Sequence, residues 1–486
     1  MIIGVDVGTT VTKAAVFDRD GRALAEADEP TTLHRPGGAR VEQDLDEVLA
    51  TVSSVVRRVA ATQAEPVTAV ALTGQGDGLW LRDADGRPSR RAISWLDGRA
   101  GPLVRQWYED GTMARVHKTT GQGMFPGAHG PLLAALDREE PETLRRSAVA
   151  GYCVDAIVQR LTGEVTVDAS DASLPFLDVR DRTYSTDALA ECGVSRWRGL
   201  LPEPAAPNSL FSLGREGARL LDLPEGTPVT GGPFDLPSCL LGSGLTEVGD
   251  GLLTVGTTLA CQVVADEVRV DSSGEPAGMW LCTDLPDRFS RAMPAMVGTA
   301  SLDWLLDLLG IGIGEVEPLL EASPPGARGV SALPFLSESG ERAPFVDPRA
   351  RGQLTGVSLG TERADIVRAV CESIAYAARH CLETAGLTGR LAACGGGSRS
   401  RAWMQVFADV LGRPVVLPSD DAMGVRGATA AAWRALGDPV DTSRWLGQGT
   451  RVNPRPHLRD QYEEGYARYR AQLDSARALW SSDAPA

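Results

Sequence analysis

The chain opens with two apolar, β-branched runs, Met1-Ile2-Ile3-Gly4-Val5-Asp6-Val7 and Val11-Thr12-Lys13-Ala14-Ala15-Val16-Phe17, joined by Gly8-Thr9-Thr10. Two strand-forming runs around a turn of glycine and hydroxyl residues predict a β-hairpin. A third strand is expected over Arg22 to Asp28. The apolar positions Leu45, Val48, Leu49, Val52, Val55, Val56 and Val59 then recur at helical spacing, and Val67 to Leu72 follows as a strand. Strands alternating with helices argue for an α/β layer architecture. From about Gly121 to Pro228 the pattern is less regular, with the proline-rich joint Pro202-Glu203-Pro204-Ala205-Ala206-Pro207, and it restarts at Val229. This stretch reads as insertions around a cleft.

About 250 residues on, the opening pattern returns. Gly251-Leu252-Leu253-Thr254-Val255-Gly256-Thr257-Thr258-Leu259-Ala260-Cys261-Gln262-Val263-Val264 has the same layout and repeats the tetrapeptide Val-Gly-Thr-Thr of Val7 to Thr10. Ile366, Val367, Val370, Cys371, Ile374, Ala375 and Ala378 mark a long amphipathic helix ended by Gly386. A strand at Leu391 to Cys394, the run Gly395-Gly396-Gly397, a helix through Trp403, Met404, Phe407, Val410 and Leu411, and a strand at Pro414 to Leu417 come next. A small-residue helix from Gly424 to Leu436 completes the pattern. Each half holds a hairpin and a βαβ unit, so two domains are expected, 1–243 and 244–486. A glycine and threonine turn points backbone N–H groups and hydroxyls at an anion. Two such loops facing each other would grip a nucleotide's phosphates from both sides.

The 486 residues, 43% of them hydrophobic, suffice for two or three domains with substantial cores. With 48 basic against 64 acidic residues the net charge is −16, which argues against a nucleic-acid partner. Lys13 and Lys118 are the only lysines, so no Gly-Lys-Ser/Thr P-loop exists. The eight cysteines stand singly without CxxC pairs, as in a reduced, cytoplasmic protein. The N-terminus lacks the features of a signal peptide, and no apolar run approaches 18 residues, so no membrane span is expected.

Seven segments now fall in one order: Gly4-Val5-Asp6-Val7-Gly8-Thr9-Thr10; Gly74-Gln75-Gly76-Asp77-Gly78; Trp95-Leu96-Asp97-Gly98-Arg99; Gly231-Gly232-Pro233-Phe234-Asp235; Val255-Gly256-Thr257-Thr258; Gly340-Glu341-Arg342-Ala343-Pro344; and Gly395-Gly396-Gly397-Ser398-Arg399-Ser400. Over nearly its whole length the chain resembles the FGGY carbohydrate kinase family. The resemblance implies the two-domain α/β fold of actin and the sugar kinases, with duplicated ribonuclease H-like domains and a central cleft. It also implies ATP and Mg²⁺ as cofactors, a small sugar or polyol as substrate, and allows a homodimer. Closure of the domains would exclude water.

By the same resemblance Asp235 takes the place of the catalytic base and also contacts substrate and metal, and Asp6 holds Mg²⁺, usually through water. Thr9, Thr10, Lys13, Gly256, Thr257 and Thr299 match phosphate-binding positions. Gly396, Gly397 and Arg401 match the adenosine side. Gln75, Gly76, Asp77 and Trp95 match substrate positions, with Trp80 and Arg99 as further candidates for the pocket wall. A carboxylate at Asp77 accepting two hydroxyl hydrogens suits a polyol.

Two departures bear on the substrate. Leu132 and Ala135, in Pro126-Gly127-Ala128-His129-Gly130-Pro131-Leu132-Leu133-Ala134-Ala135, stand where the family typically has a lysine and a tryptophan. Gln75-Gly76-Asp77-Gly78 and Trp95-Leu96-Asp97-Gly98-Arg99 differ from the Gln-Met-His-Gly and Trp-Asn-Asp-Gly-Arg of xylulose kinases. The first form looks more like kinases of erythritol and related polyols or rarer ketoses, with a xylulose kinase as the alternative.

Two readings come from other classes. Gly356-Val357-Ser358-Leu359-Gly360 satisfies the nucleophile pattern Gly-x-Ser-x-Gly of serine hydrolases, with Asp365 and His380, or Asp421 and His457, as partners. The second is an actin-like ATPase without a sugar substrate, against which Asp235 and the polar loop at Gln75 to Asp77 weigh.

Overall fold

The computed structural model describes residues 1–270, 274–419 and 422–482. These fall into two units that are not contiguous stretches. The first takes in residues 1–246, 265–270, 274–290 and 422–445, the second residues 247–264, 291–419 and 446–482.

In the first unit, β1 (Ile2–Val7), β2 (Val11–Phe17) and β3 (Ala23–Pro30) form the expected antiparallel hairpin and third strand. With β4 (Ala69–Gly74), β5 (Phe211–Ser212) and β6 (Pro228–Gly231) they make a sheet in the order β5-β6-β4-β1-β2-β3. β1 runs antiparallel to β2, opposing Asp6 to Lys13, and parallel to β4, opposing Val7 to Gly74. β6 is parallel to β4. The carboxyl ends of β1, β4 and β6 therefore lie on one edge, where open α/β sheets hold their ligands.

The helix Leu45–Ala60 covers one face. Asp44 caps it, accepting from the backbone N–H groups of Asp46 (3.0 Å) and Glu47 (3.4 Å), and Arg57 and Arg58 end it in accord with the helix dipole. Its buried stripe Val48, Val52, Val55, Val56 and Val59 packs on Ile3, Val5, Val7, Val70 and Leu72. Each such side chain contributes about 1.5–3 kcal/mol of burial. The opposite face takes the small-residue helix Met423–Ala435, whose Ala428 and Ala432 meet Ile2, Ala69 and Ala71. Close approach dictates the composition of that helix. A Cβ on Gly427 would stand 1.8 Å from the Ser238 carbonyl oxygen of the helix Asp235–Gly242, so only glycine fits.

The second unit repeats the plan. β7 (Gly251–Val255) is antiparallel to β8 (Leu259–Ala265) and parallel to β10 (Leu391–Cys394); β9 is Phe289–Pro294, β11 Val415–Leu417 and β12 Thr450–Val452. Their order is β9-β8-β7-β10-β11-β12. The long helix Arg363–Ala385 runs to a left-handed Gly386 (φ 92°), as the sequence led us to expect. Its Val367, Cys371, Ile374, Ala375 and Ala378 join Leu253, Val255, Phe407 and Val410 in one core. Among the described residues, no helix is long and apolar enough to cross a membrane.

Candidate active site

In the first unit the edge formed by β1, β4 and β6 gathers most of the side chains singled out from the sequence. Thr9 follows β1, and its hydroxyl donates to Gln75 Oε1 (3.1 Å) while accepting from Trp95 Nε1 (2.8 Å). Gln75 in turn follows β4, with its backbone N–H on the Val7 carbonyl (3.0 Å). Three residues from separate parts of the chain thus share one hydrogen-bonded cluster. Thr10 and Lys13 lie exposed on the same hairpin.

Three carboxylates stand beside this cluster. Asp6 is the penultimate residue of β1; burial pushes its carboxyl up to about 6, with Lys13 across the hairpin pulling the other way. Asp235 is the first residue of the helix Asp235–Gly242, and burial, then the charges of Asp6 and Asp77, push it up to about 8. Asp77 sits in the left-handed region (φ 55°) and accepts from the His129 N–H at 3.3 Å. Like charges held together in a desolvated place bind protons, and divalent cations, more readily than isolated ones.

Several supporting residues were not singled out from the sequence. The backbone N–H of Phe234 donates to Ser170 Oγ (3.0 Å), and Asp168 Oδ1 accepts from the Ser170 N–H (2.8 Å), which fixes the entry to the Asp235 helix. Phe234 also explains Gly76, where a Cβ would come within 2.6 Å of the Phe234 ring. Asp171 is buried, and its carboxyl is raised well above its usual range by burial and by Asp155, Asp168, Asp235 and Asp77. His129 stacks on Tyr152 at 4.6 Å, and burial lowers it to about 4, so its ring is neutral. Against Asp6 lies the start of the small-residue helix, where a Cβ on Gly424 would meet Asp6 Oδ2 at 2.7 Å. The repeated tripeptide Asp-Ala-Ser over Asp168 to Ser173 was the one available hint.

Two proposed wall residues do other work. Trp80 is packed in the core, and Arg99 is committed to ion pairs with Asp97 and Glu42, both at 2.8 Å. Leu132 and Ala135 are both buried in the helix His129–Glu139.

In the second unit, Gly256 and Thr257 occupy the turn between β7 and β8, and the segment from Val297 to Ala300 closes over it. Thr299 N–H donates to the Gly256 carbonyl (2.8 Å) and Ala300 N–H to that of Thr257 (3.2 Å). Gly395 (φ 91°) turns the chain after β10, and Gly396 has open space where a Cβ would stand. A Cβ on Gly397 would instead strike Val255 Cγ1 at 2.4 Å, so this glycine is required by the protein's own packing. Arg401 is exposed at the start of the helix Arg401–Leu411. Among the described residues, no group of three or more His, Cys, Asp or Glu forms a metal cage.

The comparisons decide what this arrangement belongs to. Residues 1–242 match the model of the N-terminal domain of the FGGY family of carbohydrate kinases, and residues 278–436 that of the C-terminal domain. The chain is 31% identical to an erythritol kinase of Brucella abortus, over 99% of this chain and 97% of that one. It belongs to the FGGY family of carbohydrate kinases. With a xylulose kinase of Escherichia coli the kinase shares 29% identity, over 100% of its own length and 99% of the relative's. The crystal structure of a xylulose kinase from Rhodospirillum rubrum superposes with a TM-score of 0.88 at 28% identity, covering 99% of both chains.

The expected fold, the two-domain actin-like sugar kinase ATPase fold, is thereby borne out, and so is the activity: an ATP-dependent carbohydrate kinase acting on a small molecule. The hydrolase reading falls. Ser358 lies on an exposed loop, where its Oγ accepts from the Gly360 N–H at 3.3 Å, while His380 is packed edge-on to Tyr469. Asp365 is bound to Ser323 and Arg328, and Asp421 lies outside the described residues. An exposed serine without a histidine partner among the described residues has no base to activate it. The sugar-free ATPase reading falls with the family assignment.

Proposed function

We propose that Asp235 is the general base of phosphoryl transfer to a short polyol or ketose, with a four-carbon polyol of the erythritol kind as the preferred acceptor and a pentulose next. The acceptor hydroxyl gives its proton to Asp235 as its oxygen attacks the γ-phosphorus, and the bond to the bridging oxygen breaks to release ADP. The observation that carries this reading is the placement of Asp235, buried at a helix start beside Asp6 and Asp77, whose charges add to burial in raising its proton affinity. Positive charge bound beside it with the nucleotide would ionise this carboxyl, and its raised proton affinity then lets it take the proton of the acceptor hydroxyl.

Gln75, Asp77 and Trp95 orient the acceptor, with Gly76 making room for Phe234. The carboxylate of Asp77 supplies the paired acceptor that vicinal hydroxyls require. Thr9, Thr10 and Lys13 in one unit, and Gly256, Thr257 and Thr299 in the other, take the phosphates. Gly396, Gly397 and Arg401 take the adenosine. Mg²⁺ fits Asp6 and Asp235, since two carboxylates close enough for Asp6 to raise the proton affinity of Asp235 would form a partial cation site that substrate phosphates and water complete. Once bound, the ion supplies positive charge to the triphosphate.

Eight cysteines outside any disulfide support a cytoplasmic setting. The homodimer that the family resemblance allows is decided by light scattering. The kinship with erythritol and xylulose kinases narrows the acceptor, and a coupled assay of ADP release against C3 to C6 polyols and ketoses tests it. A four- or five-carbon polyol or rare ketose should give the highest kcat/KM. A clear preference for D-xylulose or glycerol would overturn the substrate reading and leave the kinase intact.

A further inference from the structure

The segment Gly340-Glu341-Arg342-Ala343-Pro344 takes no part in the site described above, yet it is built around one buried carboxylate. Glu341 Oε1 accepts three backbone N–H groups: that of Met296 at 2.7 Å, of Arg342 at 2.8 Å and of Ala343 at 3.3 Å. The Arg342 side chain adds a second tie, Nε to the Pro294 carbonyl at 2.8 Å. Backbone bonds between Glu341 and Asp347, at 2.9 and 3.0 Å, close the loop on itself. Burial is severe enough to push the Glu341 carboxyl up to about 7 despite three donors.

Met296 and Pro294 are placed to matter. β9 ends at Pro294, and the next residues run directly onto the Gly256–Thr258 turn. Ala295 N–H donates to the Leu259 carbonyl (3.0 Å), Leu259 N–H to that of Val297 (2.6 Å), and Thr299 N–H to that of Gly256 (2.8 Å). Gly298 is pressed so closely that a Cβ would stand 2.4 Å from the Thr257 carbonyl oxygen and 2.5 Å from Thr258 Cα. At such distances a shift of Met296 is transmitted to the turn, because close-packed segments have no slack.

We propose that Glu341 is a positioning residue for nucleotide binding, fixing through the Met296 amide the segment on which the Gly256–Thr258 phosphate turn rests. The inference rests on the assignment of Gly256, Thr257 and Thr299 to the nucleotide. Of the three bonds, two lie within the glutamate's own loop and one reaches across to Met296, two residues beyond β9. Shortening the side chain separates them. Glu341→Asp keeps acceptors for Arg342 and Ala343, as an Asx turn does, but withdraws from Met296. Glu341→Gln keeps an oxygen for all three.

Glu341→Asp should raise the KM for ATP by about tenfold while the KM for the acceptor stays within about twofold, and Glu341→Gln should hold both within about threefold of the parent. Arg342→Ala, which removes the tie to Pro294, should raise the ATP KM severalfold and serves where Glu341→Asp does not fold. Thr257→Ala is run beside them as the direct nucleotide contact. If Thr257→Ala raises the ATP KM but neither loop variant does, the positioning role is wrong and the nucleotide assignment stands. If Thr257→Ala also changes nothing, both fall. A parallel rise of both KM values in Glu341→Asp would show general distortion and would equally overturn the proposal.

Discussion

The two Val-Gly-Thr-Thr loops share a sequence but differ in what surrounds them. Val7 to Thr10 follows Asp6, whereas Val255 to Thr258 follows Thr254, whose hydroxyl lies 3.5 Å from Cys394 Sγ. Beyond the neighbouring parallel strand, the first unit places Gln75 and Asp77 and the second places Gly395, Gly396 and Gly397. The hairpins also differ in register. Val7 opposes Thr12 with four residues between them, while Val255 opposes Leu259 with three. A one-residue change in pairing exchanges the faces onto which the second strand's side chains project. A duplicated scaffold thus carries unequal chemistry: hydroxyls beside carboxylates in one copy, hydroxyls beside bare backbone in the other. On the proposed account both copies contact phosphates, while the first also takes the acceptor and the second the adenosine.

The largest expected effect strikes the first unit. Asp235→Asn should lower kcat by roughly 10²- to 10⁴-fold, the range of a lost general base, while ATP affinity is retained. Single-turnover kinetics with a nucleotide titration would check both, and near-normal turnover would remove Asp235 from its role. The same variant has a stability signature. Without metal or substrate, burial and Asp6 hold the folded carboxyl up at about 8 against an ordinary value of 3.8, so between those pH values the unfolded chain is ionised while the ligand-free folded one keeps its proton. Stability of the parent therefore falls as pH rises through this window. Asn does not ionise, so the melting temperature of Asp235→Asn should exceed that of the parent by a margin that grows from pH 4 to pH 8 and then levels. A constant margin would mean the carboxyl is not perturbed. A smaller effect is expected at the metal, where Asp6→Ala should raise the Mg²⁺ concentration for half activity by about tenfold. An unchanged Mg²⁺ dependence would reduce Asp6 to a structural strand end.

Periodicity made most of the layers legible. The stripe from Leu45 to Val59, the strand Leu391–Cys394 and the helix ending at Gly386 all appear as read, because each buries a regular apolar face. The placement of the helix Met423–Ala435 was not legible. Its residues are too small to announce a face, and what they do is admit other backbone, as at Gly424 beside Asp6 and Gly427 beside Ser238. Close packing also fixes Gly397, which makes room for Val255, whereas Gly396 beside it faces open space, a difference that three identical residues in a row do not announce. The Ser170 and Asp168 supports of Phe234 lie in the least periodic stretch, where spacing carries no information about contacts across more than sixty residues.

The division of labour between the two copies is tested most directly by measuring KM for ATP and for the acceptor in Asp77→Ala and Gly396→Val side by side. Asp77→Ala should cut kcat/KM for the acceptor by at least about tenfold, the cost of about 1.5–3 kcal/mol for a charged hydrogen bond, and leave the ATP KM unmoved. Gly396→Val, which meets no protein atom within 4 Å at its Cβ, should raise the ATP KM by about tenfold and leave the acceptor KM unmoved. That crossed pattern is the predicted result. Should either variant move both constants together, or Gly396→Val act on the acceptor alone, the assignment of acceptor to one unit and adenosine to the other would be contradicted.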